Sequence, residues 1–213
     1  MRLSPHTTPF ERVVVVHGFR ASPQHHWFPW IAEAVPGAEV VALPDSASPD
    51  AEAWVDSVTR AIGAPGPEVA VVAHSLGCVT AVRTVQRLAF EHTSTSGITG
   101  ANDRGHRVSA LGAFVAVSPF SDPLTHTGDQ GLDEFASTGL APFLDGVDLA
   151  RVRPLLGEVT VIRSDDDPLV APHLSDAFAE GLGARTRVVA GARHFLAAHG
   201  ATELPEVIEA LNR

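Results

Sequence analysis

Short runs of apolar, mostly β-branched residues alternate with longer amphipathic stretches along the 213-residue chain. Runs such as RVVVV and EVAVVA contain no polar residue after the first, which is typical of strands covered on both faces in a parallel sheet. The pattern predicts strands at 12–16, 38–43, 68–73, 110–118, 158–163 and 186–190. Helical candidates lie between them, at 48–63, 76–90, 172–183 and 204–213.

This alternation predicts an α/β fold with a mostly parallel six-stranded sheet, helices on both faces and right-handed crossovers. The length suits a single domain over residues 1–213. Two segments interrupt the alternation. Residues 91–109 are rich in Gly, Ser and Thr, which predicts an exposed loop insertion. Residues 119–148 are too long for an ordinary connection and partly apolar, which favours a small lid-like excursion.

Charge and composition narrow the class of partner. The net charge of −10 and the lack of a basic cluster argue against nucleic acid. No apolar run reaches the length of a membrane span, and the first ten residues lack the apolar core of a secretory signal. The single cysteine suits a reducing cytoplasm, so a cytoplasmic protein is expected. The oligomeric state is left open, and a monomer is compatible with these features.

The sequence AHSLG at residues 73–77 stands between the third strand and an apolar-faced helix. A nucleophile elbow holds its serine in a strained turn and needs small residues two positions before and two after it. Ala73 and Gly77 meet this condition around Ser75, with Ala73 in place of the usual glycine. An N-capping serine is the alternative, but the preceding strand and following helix favour a nucleophile.

A serine hydroxyl needs a base to accept its proton and a further group to orient that base. In the chain order of α/β-hydrolases, the acid follows a later strand and the histidine comes near the end. His194 follows the sixth strand, and this position favours its interpretation as the base over that of an ordinary exposed loop histidine. Asp167 is the favoured acid because Pro168 stiffens the chain after it, Asp166 is the alternative, and Asp165 is expected to face solvent.

An oxyanion hole needs two backbone N–H groups aimed at the developing negative oxygen. Leu76 follows the nucleophile and supplies one candidate N–H group, and Phe19 in the loop after the first strand supplies the other. Gly18 allows close backbone approach there. His17 is interpreted as a core histidine that fixes this loop, with substrate contact as the alternative.

Several apolar side chains are candidates for the substrate pocket. Trp27 either lines an acyl pocket or packs the first helix on the sheet, and packing is favoured for Trp30. Phe120 and Phe135 in the lid-like excursion either select the acyl chain or form a small core of their own. Cys78 is interpreted as a packed helix residue rather than a rival nucleophile. No metal site is expected.

These motifs resemble the small serine-hydrolase branch of the α/β-hydrolases that includes YdeN-like proteins and the retinoblastoma-binding serine hydrolase. The similarity runs through HGFRASPQHHWFPW, LPDSASPDAEAWVDS, VAHSLGC, LDEF, SDDDPLVAP and GARHF. It implies a compact α/β-hydrolase fold without two leading antiparallel strands, and places the family's triad on Ser75, Asp167 and His194. The chain departs from the pattern in its 91–109 insertion and in having three aspartates where two are usual.

The expected function is that of a serine hydrolase without metal or cofactor, acting on a small-molecule carboxylic ester or thioester through an acyl-enzyme. Two alternatives stay open. One is a hydrolase-fold binding or regulatory protein with incidental turnover, because fold alone does not give function. The other is an acyltransferase that uses the same triad.

Overall fold

The computed structural model describes residues 8–95 and 110–213. Their strands are β1 (Arg12–Val16), β2 (Ala38–Val40), β3 (Val69–His74), β4 (Ala113–Val117), β5 (Glu158–Ser164) and β6 (Arg185–Val189). They form one sheet in the order β2-β1-β3-β4-β5-β6, and every neighbouring pair is parallel. The direction of winding reverses between β1 and β3. The carboxyl ends of these strands therefore flank the crevice in which open α/β sheets bind ligands.

The helices connect the strands and cover the sheet. They are α1 (Phe28–Ala34), α2 (Ala51–Ile62), α3 (Leu76–Thr95), α4 (Gln130–Thr138), α5 (Ala141–Leu144), α6 (Leu149–Val152), α7 (Pro172–Leu182) and α8 (Pro205–Leu211), with short 3-10 turns at Arg153–Leu155 and Ala197–His199. Helix α2 begins where the Asp50 side chain accepts the Ala53 N–H and ends at Gly63 with φ of +59°. Across the described ranges, no helix is long and apolar enough to cross a bilayer.

The apolar residues of the central strands divide between the two faces of the sheet. Val14 and Val71 belong to a core cluster covered by α2, α3 and α7. Val13 and Val72 belong to a second cluster covered by α1 and α8. This alternation follows from the period of two along a strand. The predicted parallel six-stranded sheet with helices on both faces is confirmed.

The end of α3 and the exposure of β6 depart most from the sequence pattern. The pattern predicts a loop from residue 91, but α3 continues to Thr95 because no glycine or proline interrupts the helix before Gly97. The rest of the predicted insertion, 96–109, lies outside the described residues. Strand β6 is mostly exposed although its apolar run suggests a covered strand. It is an edge strand, and exposed Arg185 pairs with Glu158 on β5 at 2.7 Å.

The 119–148 excursion folds against the first core cluster. Helix α4 begins where the Asp129 side chain accepts the N–H of Leu132. Six large apolar side chains of the segment are buried, while Leu144 and Val147 are only partly so, and the buried ones are Phe120, Leu124, Leu132, Phe135, Leu140 and Phe143. They join the same cluster as the residues of α3, and Phe143 packs edge-on against Trp54 of α2. Core packing thus accounts for these residues, and a lid function stays a prediction.

Candidate active site

Ser75 lies in a tight turn between β3 and α3. Its φ is +54°, in the left-handed region, and the side chain is 8% exposed. The Ser75 N–H donates to the Val117 carbonyl at 2.9 Å, and the Ser75 carbonyl accepts the Cys78 N–H at 2.9 Å. For a residue with a Cβ this conformation costs about 1–2 kcal/mol, so the surrounding hydrogen bonds must hold it.

Two glycines let the loop after β1 approach this turn. A Cβ added at Gly77 would lie 2.5 Å from the carbonyl oxygen of His17, and one at Gly18 would lie 3.0 Å from the Ser75 Cβ. The distance at Gly77 is shorter than real Cβ contacts, and the one at Gly18 is tighter than most of them. A larger residue at position 77 would force the loop and the turn apart, and one at position 18 would press on Ser75.

The structure brings together the three side chains that the sequence pattern singles out. The Ser75 Oγ lies 3.1 Å from Nε2 of His194, and Nδ1 of His194 lies 2.8 Å from Oδ2 of Asp167. All three residues are buried, with His194 4% and Asp167 7% exposed. Since Asp167 accepts at Nδ1, the neutral imidazole carries its proton there and presents the Nε2 lone pair to the serine.

Asp167 is held by more than the histidine. Its Oδ2 accepts the Ser118 hydroxyl at 2.7 Å, and its Oδ1 accepts the N–H groups of Leu169 at 2.9 Å and Val170 at 3.0 Å. Burial opposes ionisation, but the hydrogen bond and charge of His194 and the other donors outweigh it, and the pKa of Asp167 is lowered. The carboxyl group is therefore ionised.

The other two aspartates hold the loop that carries His194. Oδ1 of Asp166 accepts the Arg193 N–H at 2.8 Å and the Ser164 hydroxyl at 2.6 Å. Oδ1 of Asp165 accepts the Gly191 N–H at 2.8 Å. Both residues are exposed, as expected for Asp165. Asp165 and Asp166 thus each attach the loop that carries His194 to the end of β5.

Left-handed backbone conformations are concentrated around the three side chains. Besides Ser75, the non-glycine residues with positive φ include Arg20 after the β1 loop, Ser118 after β4, and Arg193 and Phe195 on either side of His194. Such conformations persist where the surroundings impose them, and they are frequent at active sites.

The two predicted oxyanion donors lie on the segments that the glycines bring together. Leu76 begins α3 directly after the serine, and Phe19 follows Gly18 in the loop after β1. Among the described residues, the N–H groups of Phe19 and Leu76 have no protein acceptor. Their participation in an oxyanion hole stays a prediction.

The four predicted substrate-contact residues lie in the core. His17 is 1% exposed, its Nδ1–H donates to the Gly18 carbonyl at 3.0 Å, and its Nε2 accepts the Leu43 N–H at 3.4 Å. These bonds match the interpretation of a histidine that fixes the loop. Trp27, Phe120 and Phe135 are also buried. Their roles in substrate binding stay predictions.

Phe135 has a contact that relates it to the site. Its ring stacks on that of Phe19, with the centroids 4.6 Å apart and the planes within 16°. The guanidinium group of Arg20 lies over the same Phe19 ring and pairs with Asp129 at the start of α4 at 3.3 Å. The 119–148 excursion is thus attached to the loop that carries one predicted oxyanion donor.

Two residues near the site are not singled out by the sequence pattern. Ser118 is visible only as a serine that ends an apolar strand, and its contact with Asp167 depends on the pairing of β4 with β5. His74 precedes Ser75, and its Nε2 lies 3.0 Å from the His194 carbonyl oxygen. Neither contact follows from spacing along the chain.

Other reactive groups do not form a second centre. Cys78 is fully buried, its thiol lies 3.6 Å from the Val117 carbonyl oxygen, and burial raises its pKa far above the usual range. A buried neutral thiol is a poor nucleophile. Over the described ranges, no group of three or more His, Cys, Asp or Glu residues is placed to hold a metal ion.

Comparisons with known proteins agree with the fold. A protein of Bacillus subtilis (strain 168) named as hydrolase YdeN is 29% identical over 205 residues, which cover 94% of each chain. The crystal structure of the ydeN gene product from B. subtilis matches with a TM-score of 0.73 and 29% identity, covering 94% of this chain and 96% of that one. The resemblance to YdeN-like proteins is confirmed.

More distant structures show the shared fold alone. A yden-like hydrolase from Pectobacterium atrosepticum matches with a TM-score of 0.63 and 19% identity, over 94% of this chain and 88% of the other. Naproxen esterase, carboxylesterase NP, from B. subtilis matches with a TM-score of 0.55 and 14% identity, over 96% of this chain and 82% of the other.

The family model described as Serine hydrolase matches residues 13–213. The chain therefore belongs to the serine hydrolase family.

Proposed function

We propose that this protein hydrolyses a carboxylic ester or thioester through an acyl-enzyme formed on Ser75. The observation that carries the proposal is the chain of hydrogen bonds from Ser75 through His194 to Asp167. Ester cleavage is a reaction that this arrangement serves, because it needs a nucleophile, a base matched to it and an ionised group behind the base.

In the first half of the reaction, Nε2 of His194 accepts the Ser75 proton as the serine oxygen attacks the carbonyl carbon. The carbonyl oxygen becomes negative and accepts hydrogen bonds from the N–H groups of Leu76 and Phe19. Collapse of the tetrahedral intermediate breaks the bond to the leaving group. The leaving alcohol or thiol takes the proton from Nε2 of His194.

In the second half, a water molecule gives a proton to Nε2 of His194 and attacks the acyl carbon. The second tetrahedral intermediate releases the carboxylic acid, and the proton returns to the Ser75 oxygen. Asp167 accepts the Nδ1–H throughout, so it holds the correct tautomer and stabilises the imidazolium. The lowered pKa of Asp167 supports this role because the carboxylate stays charged at neutral pH.

The test compares purified wild-type protein with Ser75→Ala and Asp167→Asn variants on p-nitrophenyl esters of graded acyl length, and with a fluorophosphonate probe. We expect S75A to lose turnover and labelling. D167N should lower kcat by roughly 10⁴-fold, since an amide no longer favours the reactive tautomer. D165N is the matched control, because the asparagine oxygen still accepts the Gly191 N–H and activity should persist.

Turnover that survives in S75A would contradict the proposal, as would a wild-type protein that neither labels nor turns over any ester in the series. Equal loss of kcat in D165N and D167N would assign the effect to the loop rather than to the carboxylate beside His194.

A further inference from the structure

His74 is the last residue of β3 and directly precedes Ser75. Its side chain is enclosed, with 2% exposure, and its ring centroid lies 4.8 Å from that of His194. The rings of Trp27, Phe28 and His26 surround its other sides at centroid distances of 6.2, 6.0 and 6.2 Å. An apolar residue would suit such a position on packing grounds alone.

The hydrogen bond of His74 defines its tautomer. Nε2 of His74 lies 3.0 Å from the His194 carbonyl oxygen, and a carbonyl only accepts, so Nε2 carries the proton. Burial, together with the nearby His194 and His26, lowers the pKa of His74 well below its ordinary value, so the ring is neutral. Nδ1 then has a lone pair and no proton.

This arrangement is unfavourable for stability. Within the described part of the chain, the buried Nδ1 of His74 has no hydrogen-bond partner. A buried polar atom without a partner destabilises the folded state, and such atoms are rare enough in proteins to require an explanation. The hydrogen bond that Nε2 of His74 donates to the His194 carbonyl oxygen explains why a histidine is kept at this position despite that cost.

The backbone that His74 holds is itself strained. Arg193 and Phe195, the neighbours of His194, have φ of +51° and +54°. The Asp166 carboxylate accepts the N–H of Arg193 at 2.8 Å, and His74 donates to the carbonyl of His194. These two hydrogen bonds hold consecutive residues of the loop. Without the donor at position 74, the peptide plane after His194 loses the hydrogen bond that resists its rotation.

We propose that His74 is a positioning residue, which fixes the His194 backbone through its Nε2–H and so holds the His194 imidazole at hydrogen-bond distance from Ser75. The inference rests on the proposed hydrolase function. It adds a second histidine to the site, one that binds no proton during the reaction and touches no substrate.

The experiment uses three substitutions in the full chain. The side-chain nitrogen of Gln reaches the position of Nε2, that of Asn reaches only the position of Nδ1, and Phe fills the ring volume without a donor. We expect H74F and H74N to lower kcat on p-nitrophenyl esters by about 100-fold, the size of effect that a small misplacement of a catalytic group produces. KM should change little, and H74Q should recover most of the lost kcat.

A spectroscopic measurement separates positioning from a general loss of structure. We expect the proton between Nδ1 of His194 and Asp167 to give a downfield NMR signal in the wild type, which persists in H74Q and broadens or vanishes in H74F. Thermal unfolding of each variant serves as the control for folding. If H74F does not fold, the comparison of H74Q with H74N decides, because both carry an amide donor and the one additional methylene of Gln is what lets that donor reach the position of Nε2.

Wild-type labelling by a fluorophosphonate probe distinguishes the two possible failures. A wild-type protein that does not label overturns the hydrolase proposal and this inference with it. A wild-type protein that labels at the same rate as folded H74F overturns the role of His74 and leaves the hydrolase proposal intact. Equal kcat in H74Q and H74N would likewise overturn the role of His74 and leave the hydrolase proposal intact.

Discussion

Ser75 combines an unfavourable backbone conformation with the reactive hydroxyl of the site. Its φ of +54° is one that glycine adopts without strain. The small residues at 73 and 77 predict a strained turn, and the structure explains the glycine at 77, where a Cβ would lie 2.5 Å from the His17 carbonyl oxygen. The left-handed conformation of Ser75 is thus imposed by the hydrogen bonds and close contacts around it and not by the residue's own preference.

We expect Ser75→Gly to be more stable than Ser75→Ala. Both variants lose the hydroxyl, but only alanine keeps a Cβ in the left-handed region, so the free energy of unfolding should differ by about 1 kcal/mol in favour of glycine. Urea unfolding followed by circular dichroism measures the difference. An alanine variant at least as stable as the glycine variant would mean that the turn stores no strain at this residue.

Three consecutive aspartates follow β5, and one of them contacts His194. Pro168 makes Asp167 the favoured acid on sequence grounds, but the structural cause is different. The N–H groups of Leu169 and Val170 turn back to Oδ1 of Asp167, which leaves Oδ2 to face His194. The sequence favours Asp167 but leaves Asp166 as an alternative, because which carboxylate faces inward depends on the turn after β5.

At the scale of elements, α4 and the loop after β1 are attached to each other at three points. Phe19 stacks on Phe135, Arg20 pairs with Asp129, and the Arg20 guanidinium packs directly on Gly131, where a Cβ would collide with it. Phe19 carries a predicted oxyanion donor. The position of α4 and the geometry of the site are therefore coupled.

We expect Phe135→Ala to shift substrate preference toward longer acyl chains. Removing this ring opens space beside Phe19, so kcat/KM for octanoyl relative to butyryl p-nitrophenyl esters should rise roughly tenfold, the lower end of what one methylene contributes in an apolar pocket. Phe178→Ala is the control, because Phe178 lies in the same core cluster on α7 and its loss should destabilise the fold without changing the ratio. An unchanged ratio in F135A would argue against a pocket wall at this position.

At the scale of the whole molecule, the fold keeps several histidines neutral. Burial lowers the pKa of His17, His26 and His74, and that of His26 falls from 6.5 to about 4. Between pH 6.5 and the lowered pKa of each residue, the unfolded chain binds a proton there and the folded chain does not, and for His26 this range ends near pH 4. The unfolded state therefore binds more protons in this range, and the free energy of unfolding decreases as the pH falls.

We expect stability to decrease as the pH falls from 6.5, with the His26 contribution complete near pH 4. His26→Asn should lose less stability between pH 8 and pH 5 than wild type. Asparagine does not titrate, tolerates the φ of +55°, and offers an oxygen for the Ala197 N–H that Nδ1 accepts at 3.1 Å. Urea unfolding at pH 8 and pH 5 measures the free energy of unfolding of each protein. The difference between the two proteins at pH 8, where His26 is neutral in both states, serves as the reference for the substitution itself. Equal losses in the two proteins would exclude His26 as a source of the acid sensitivity.

The order of residues along the chain is enough to predict the parallel sheet, its covering helices and the segments that carry Ser75, Asp167 and His194. Hydrophobic periodicity and the elbow motif are local properties, which a chain displays before it folds. Long-range contacts were needed to establish which aspartate turns inward, that Ser118 supports Asp167, that His74 holds the His194 carbonyl, and that the 119–148 side chains join the main core. The contacts of His74 and Ser118 join residues 120 and 49 positions apart, and strand pairing brings such residues together, which no local pattern records.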